Sequence, residues 1–280
     1  MIGIIYAGQI ELSPFVKKYI AIMNRENIPY EIVHWNRSGI KMPDDDKNFT
    51  FYQKVERYGR ISGKILPFIS FRRFAKKIIK ERNYEKLIVL TTQTAVLLPE
   101  LVCGKYKDRY FFDYRDTSYE YIKLYKSFVD KVIERSRFTA ISSPGFKEYL
   151  TDKKELIIAH NFQYDYYNSR VLKCEKSCSG KIIIGYIGYL REYDYLIELT
   201  EKFGADSRFE FHVHGSGDCV DRLSDYSKGF KNIKVFGAYD ERDKMNIIDS
   251  FDMICYNYPY NFVNYPAVAN KFYDGLIRKK

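Results

Sequence analysis

The 280-residue chain is long enough for two domains of ordinary size, and 46% hydrophobic with 29% charged residues excludes disordered and fibrous compositions. No run approaches the ~20 apolar residues of a membrane span, and Met1-Ile2-Gly3-Ile4-Ile5-Tyr6 lacks the basic start and cleavage site of a signal peptide. The net charge of +10 lies wholly in the first half: residues 1–160 hold 29 basic and 19 acidic side chains, and residues 161–280 hold 17 of each.

Short apolar runs at Ile2–Tyr6, Tyr30–Trp35, Leu87–Leu90, Tyr110–Tyr114, Phe138–Ile141 and Leu156–Ala159 predict strands. Helical periodicity lies between them. Ser13-Pro14 opens a helix through Met23, with Phe15, Tyr19, Ile22 and Met23 on one face. Residues 54–86 concentrate 11 basic and 3 acidic side chains. Within them a helix from Phe71 to Arg82 places Phe71, Phe74, Ala75, Ile78 and Ile79 on one face, and Arg72, Arg73, Lys76, Lys77 and Lys80 on the other. That is the composition of an interfacial helix, although an apolar face packed on a sheet would read the same. A local basic patch suits an anionic membrane surface at least as well as nucleic acid, whose binders more often spread their charge over a contact face. The membrane surface is therefore the expected partner, and nucleic acid is not.

Gln163–Gly180 is polar and weakly patterned, and reads as linker and loop between a domain of residues 1–162 and one of 163–280. Strands follow at Lys181–Ile187, Phe209–Val213, Val235-Phe236 and Met253–Tyr256, with a helix over Asp194–Phe203. Strands alternating with helices predict α/β architecture: two doubly wound, Rossmann-like domains, with ligands at the carboxyl ends of the strands in a cleft between them. The cysteines Cys103, Cys174, Cys178, Cys219 and Cys255 are odd in number and irregular in spacing, which reads as reduced thiols, not a disulfide framework or zinc site.

Candidate chemistry clusters in the second half. Ile184-Gly185-Tyr186-Ile187-Gly188-Tyr189-Leu190-Arg191 ends a strand with glycines and a cation but is not a dinucleotide fingerprint. Arg191 stands just before a helix start, where an anion is favoured. His212-Val213-His214-Gly215-Ser216-Gly217 offers two histidines on one strand face but no third metal ligand. Asn232–Tyr239, Ser250–Tyr256 and Asn270–Leu276 follow. In the first half, Asp113, Arg115 and Asp116 end a strand, where a carboxylate can orient or deprotonate an acceptor hydroxyl; an Asp–Arg pair shaping the loop is the competing reading. Asp44-Asp45-Asp46, in a Pro/Lys loop, reads as solvated and not as a cation site.

In this order, "IGYIGYL", "HVHGSG", "NIKVFGAYD", "SFDMICYNYP" and "NKFYDGLIRKK" resemble the nucleotide-sugar-binding domain of family 4 glycosyltransferases. The resemblance covers about 100 residues; the first half is similar only in outline, best at Tyr110–Ser118 and His160-Asn161. It implies a GT-B fold whose second domain stops short of the family's last strands. It implies sugar transfer from a nucleotide-diphosphate sugar, of UDP or GDP type, to a glycan or lipid-linked acceptor, with retention and no cofactor or metal. Arg191 would face the donor diphosphate with Lys271 beside it, and Asp274 the ribose. Gly188, Gly215, Gly217 and Asn270 would line the pocket, Gly237-Ala238-Tyr239 would lie by the base, and Asp116 would serve the acceptor. A lysine usual a few residues after the arginine is replaced by Tyr193-Asp194, and an earlier acidic position falls in Asn264–Val268. The family builds capsule, exopolysaccharide or lipopolysaccharide, which places the expected enzyme in the cytoplasm, peripheral on the inner membrane face. Two alternatives are a non-catalytic GT-B-like partner subunit and a basic nucleic-acid-binding α/β protein.

Overall fold

A computed structural model describes residues 1–10, 13–39, 41, 45–55, 61–162, 180–261 and 264–280. Asp44, residues 56–60 of the basic segment, and most of the Gln163–Gly180 stretch with Cys174 and Cys178 lie outside the described residues. Met1–His160 and Asn161–Lys280 form two compact units.

The first unit is a seven-stranded parallel sheet with strands ordered 3-2-1-4-5-6-7. Its strands are β1 (Ile2–Tyr6), β2 (Tyr30–Asn36), β3 (Asn48–Tyr52), β4 (Lys86–Leu90), β5 (Tyr110–Tyr114), β6 (Phe138–Ile141) and β7 (Leu156–Ile158). The helices are α1 (Pro14–Arg25), α2 (Ile61–Arg82), α3 (Thr92–Val96), α4 (Glu100–Cys103) and α5 (Lys123–Arg135). Parallel strands covered on both faces demand near-continuous apolar runs, and Ile4, Ile5, Val33, Val89, Leu90, Phe112 and Ile141 are almost wholly buried.

Two features depart from the sequence expectation. Edge strand β3, beside β2, was not anticipated, although Phe49 and Phe51 alternate with polar neighbours; Phe51 packs on Trp35 at 5.7 Å between ring centroids. Helix α2 starts ten residues before Phe71 and runs through Pro67, which is buried within it. Proline lacks an N–H and disfavours a helix interior, yet the helix continues N-terminal to it, and Ile65, Leu66 and Ile69 are exposed.

The second unit is a four-stranded parallel sheet ordered 10-9-8-11. It comprises β8 (Ile182–Ile187), β9 (Phe209–His214), β10 (Ile233–Gly237) and β11 (Met253–Ile254), with α6 (Tyr193–Gly204), α7 (Val220–Ser227), α8 (Lys244–Asp249) and α9 (Asn270–Arg278). One core joins Ile184, Tyr186, Leu196, Phe211, Val213 and Leu223; another joins Ile187, Met245, Ile248 and Phe251. Each such buried side chain contributes roughly 1.5–3 kcal/mol. Both units are open parallel sheets of Rossmann-like α/β type.

Candidate functional site

At the carboxyl edge of the second sheet the strand ends are sewn together through backbone. Gly188 donates to His214 O at 3.0 Å, Gly215 to Gly237 O at 2.7 Å, and Leu190 to Ser216 O at 2.9 Å. A Cβ on Gly215 would stand 1.8 Å from the Gly188 carbonyl oxygen, and one on Gly217 2.1 Å from that of Leu190. These two glycines therefore let the loops pack together on the side a Cβ would take. Gly188 and Gly237 have open space on their Cβ side. Gly237 has φ +77°. Gly237→Ala is expected to cost about 1–2 kcal/mol through backbone alone, with Gly237→Asn recovering part; thermal unfolding of the three proteins checks the order.

Lys271 stands in the first turn of α9, where amide N–H groups and the helix dipole favour an anion. Only 3% exposed, its ammonium lies 3.1 Å from the Tyr186 ring centroid and 4.4 Å from that of Tyr258. Its Nζ has no hydrogen-bond partner among the described residues. Burial, aided by the charge of Arg191, pushes its pKa down to about 7. Arg191 itself is half exposed, with Glu192 at 3.9 Å. The charge of Arg191 acts on Lys271, whose ammonium is buried against two tyrosine rings while the arginine is half exposed. Tyr258 also lines a cavity of about 360 Å³ with Tyr195, Tyr256, Tyr260, Asn264 and Tyr265. Asn270, at the helix start, is exposed.

Asp274 corrects the expectation of an open carboxylate. It is 1% exposed, with Lys244 Nζ 2.7 Å from Oδ2, and Oδ1 has no hydrogen-bond partner among the described residues. Burial raises its pKa against the pull of Lys244. Asp249 and Arg278, both buried, lie 3.5 Å apart, so two ion pairs clamp α9 to α8. Ala238 is exposed, whereas Tyr239 packs on the core around Met245 and Ile248. His212 pairs with Glu210 at 3.1 Å, and His214 lies flat on Phe236, centroids 4.2 Å apart; burial lowers the His214 pKa to about 4.

In the first unit Asp113 is wholly buried, so it is not the exposed acid–base candidate that its strand-end position suggested. It accepts from Tyr19 OH at 2.5 Å and from Arg115 Nε at 2.7 Å, and burial raises its pKa. Arg115 Nη1 donates to Ala159 O at 3.0 Å, so the Asp–Arg pair ties β5 to α1 and to the chain beyond β7. Asp116 is exposed and lines a polar cavity of about 410 Å³ at the carboxyl ends of β1, β2, β4 and β5.

The basic face of α2 is partly neutralised by carboxylates. Glu100 lies 3.2 Å from Arg72 and 2.7 Å from Lys76, Glu81 lies 3.8 Å from Lys77, and Glu31 pairs with Arg82. Arg73 and Lys80 ion-pair with no described residue. Phe71, Ala75 and Ile78 face the core as expected. Among the described residues no helix is long and apolar enough to cross a membrane.

Sequence signals for the missed residues were thin. Tyr186 and Tyr258 sit 85 and 13 positions before Lys271, and Lys244 30 before Asp274; no helical or strand spacing links such residues.

No family model matches the sequence, and no curated protein matches it. Solved structures do. The sucrose-phosphate synthase of Thermosynechococcus elongatus aligns with a TM-score of 0.62 at 9% identity, over 93% of this chain and 77% of that one. The catalytic domain of starch synthase IV from Arabidopsis thaliana, solved with ADP and acarbose, gives 0.61 at 12%, over 90% and 77%. A lipopolysaccharide outer-core galactosyltransferase gives 0.60 at 12%, over 90% and 72%. A putative UDP-N-acetylglucosamine 2-epimerase from Listeria monocytogenes also aligns, at 0.54 and 8%. These neighbours share the fold, so the chain has the GT-B fold class, and a fold hosts more than one reaction.

Proposed function

We propose that the chain is a glycosyltransferase that moves a sugar from a nucleotide-diphosphate sugar to a glycan or lipid-linked glycan acceptor. The observation that carries this reading is Lys271: a buried ammonium in the first turn of a helix, without a hydrogen-bond or ion-pair partner among the described residues and further depressed by the charge of Arg191. A cation held out of water without a countercharge favours an anionic ligand strongly. The leaving nucleoside diphosphate supplies that anion, and Lys271, Arg191 and the α9 N-terminus neutralise its growing charge without a metal. The tyrosine-lined cavity sharing Tyr258 offers flat aromatic faces to the donor sugar.

The sugar–phosphate bond breaks, a bond to an acceptor hydroxyl forms with retained configuration, and the hydroxyl proton leaves toward the departing phosphate. Asp116 orients that hydroxyl. Asp274 acts by holding α9, and through it Lys271, in place. Starch synthase IV with ADP and the HepE protein of Anabaena with UDP and glucose are similar folds solved with such ligands, which supports a nucleotide donor.

The acceptor is held at an anionic membrane, on the inner face. Exposed Ile65, Leu66 and Ile69 precede Arg73 and Lys80 on α2, and each basic residue near such a surface adds ~1 kcal/mol. Vesicles with anionic lipid are expected to bind the chain more tightly than single-stranded RNA at equal salt; the reverse order removes the membrane part. For the activity itself, titration with UDP- and GDP-sugars is expected to show binding and slow donor hydrolysis. A protein that neither binds nor hydrolyses any of them is not a transferase.

A further inference from the structure

The polar cavity of the first unit contains a cation that forms no ion pair among the described residues. Arg37, just past the end of β2, donates through Nη2 to Ala7 O at 2.5 Å and to Gln93 Oε1 at 3.3 Å. Its Nε is buried without a hydrogen-bond partner, and no carboxylate ion-pairs with it among the described residues. The guanidinium rests 4.7 Å from the Trp35 ring centroid and 5.3 Å from that of Phe68. Burial lowers its pKa, so the environment works against the charge it carries. Aromatic faces hold its plane but do not replace a counter-anion.

The rest of the cavity is built for a hydroxylated ligand. Tyr6 OH and Ser13 Oγ lie 2.6 Å apart on its wall, and Asp116 opens onto it. Tyr6 feels Arg37 and Asp116 with opposite sign, so an acid-reading group and a hydroxyl-orienting group share one cavity. Thr91, also on the wall, holds φ +71° and ψ 154°, a conformation that a β-branched residue adopts only under constraint.

We infer that this cavity selects an acceptor sugar bearing an oxyanion, a carboxylate or a phosphate, which the Arg37 guanidinium binds while Asp116 faces a hydroxyl of the same sugar. This rests on the glycosyltransferase reading, in which the first unit takes the acceptor. Planar donors in a fixed fork match either oxyanion.

Trp35 is the single tryptophan of the chain and lies against Arg37, so its fluorescence reports this site. The full chain is titrated with glucuronate, glucose 6-phosphate, inorganic phosphate and glucose at equal ionic strength. One of the acidic sugars is expected to bind at least about tenfold more tightly than glucose and than inorganic phosphate, and its identity separates carboxylate from phosphate. Arg37→Met is expected to abolish the preference and Arg37→Lys to keep part of it. Gln93→Glu answers any loss of folding in the methionine variant: it sets a carboxylate where an amide oxygen already meets Arg37, and should abolish the preference with the arginine still present. Equal binding of acidic and neutral sugars, binding of inorganic phosphate alone, no sugar binding, or a preference that survives Gln93→Glu overturns the inference. UDP titration of the same protein separates this from failure of the donor reading, because UDP binding should persist in every variant.

Discussion

Lys271→Met is expected to weaken UDP or GDP binding about 10- to 100-fold, the loss of a charge-assisted hydrogen bond worth roughly 1.5–3 kcal/mol. The pH dependence is the sharper test. Burial holds the Lys271 pKa near 7, far below its usual 10.5. Above pH 7 the free protein has lost this proton, and the bound diphosphate restores it. Binding therefore takes up a proton, and affinity falls as pH rises, by up to about tenfold per unit. Phosphate completes its own ionisation near pH 6, so the ligand does not produce a fall above 7. The methionine variant should be flat over that range. Stability moves oppositely. Between pH 7 and 10.5 the unfolded chain holds more protons at this position than the folded one, so the folded second unit gains stability as pH rises through that window, and the variant loses the gain. Calorimetric titration from pH 6.5 to 9 reads both proteins, and a wild-type affinity independent of pH above 7 removes Lys271 from the diphosphate site.

Periodicity revealed the fold because parallel strands buried on both faces must be apolar throughout, as in Ile2–Tyr6 and Tyr110–Tyr114. It lost edge strand β3, where half-burial mixes Phe49 and Phe51 with Asn48 and Thr50. Periodicity puts the start of α2 at Phe71, ten residues late: Pro67 disfavours a helix locally, and the burial of Pro67 and Phe71 outweighs it. The candidate site was legible as residue types in order but not as exposure. Asp113, Asp116, Lys271 and Asp274 look alike in a string; Arg115, Lys244 and the tyrosines decide which are available, and they lie at separations no local rule links. Arg37 went unread for the same reason: an arginine after a strand is ordinary until it proves to ion-pair with no carboxylate among the described residues.

Lys244→Met is expected to destabilise the second unit by about 3–5 kcal/mol, because it leaves the Asp274 carboxylate buried and unpaired. Burial already raises the Asp274 pKa. Without Lys244 nothing opposes that, so the loss should be largest at neutral pH and shrink as acid protonates Asp274: a folded pKa above the unfolded value makes stability fall with rising pH between the two. Trp35 lies in the other unit, so hydrogen exchange of the α9 amides in the full chain is the suitable readout. Adding Asp274→Leu removes the orphaned charge and should return most of the stability, since a buried pair replaced by apolar groups is close to neutral. The double variant also decides what Asp274 does. If it only clamps α9, nucleotide affinity returns with stability, because Lys271 is held again. If its carboxylate takes ribose hydroxyls, as the family resemblance implies, stability returns and affinity does not. Burial and the 2.7 Å contact to Lys244 favour the first outcome: a ribose would have to displace a charged partner from a site closed to water.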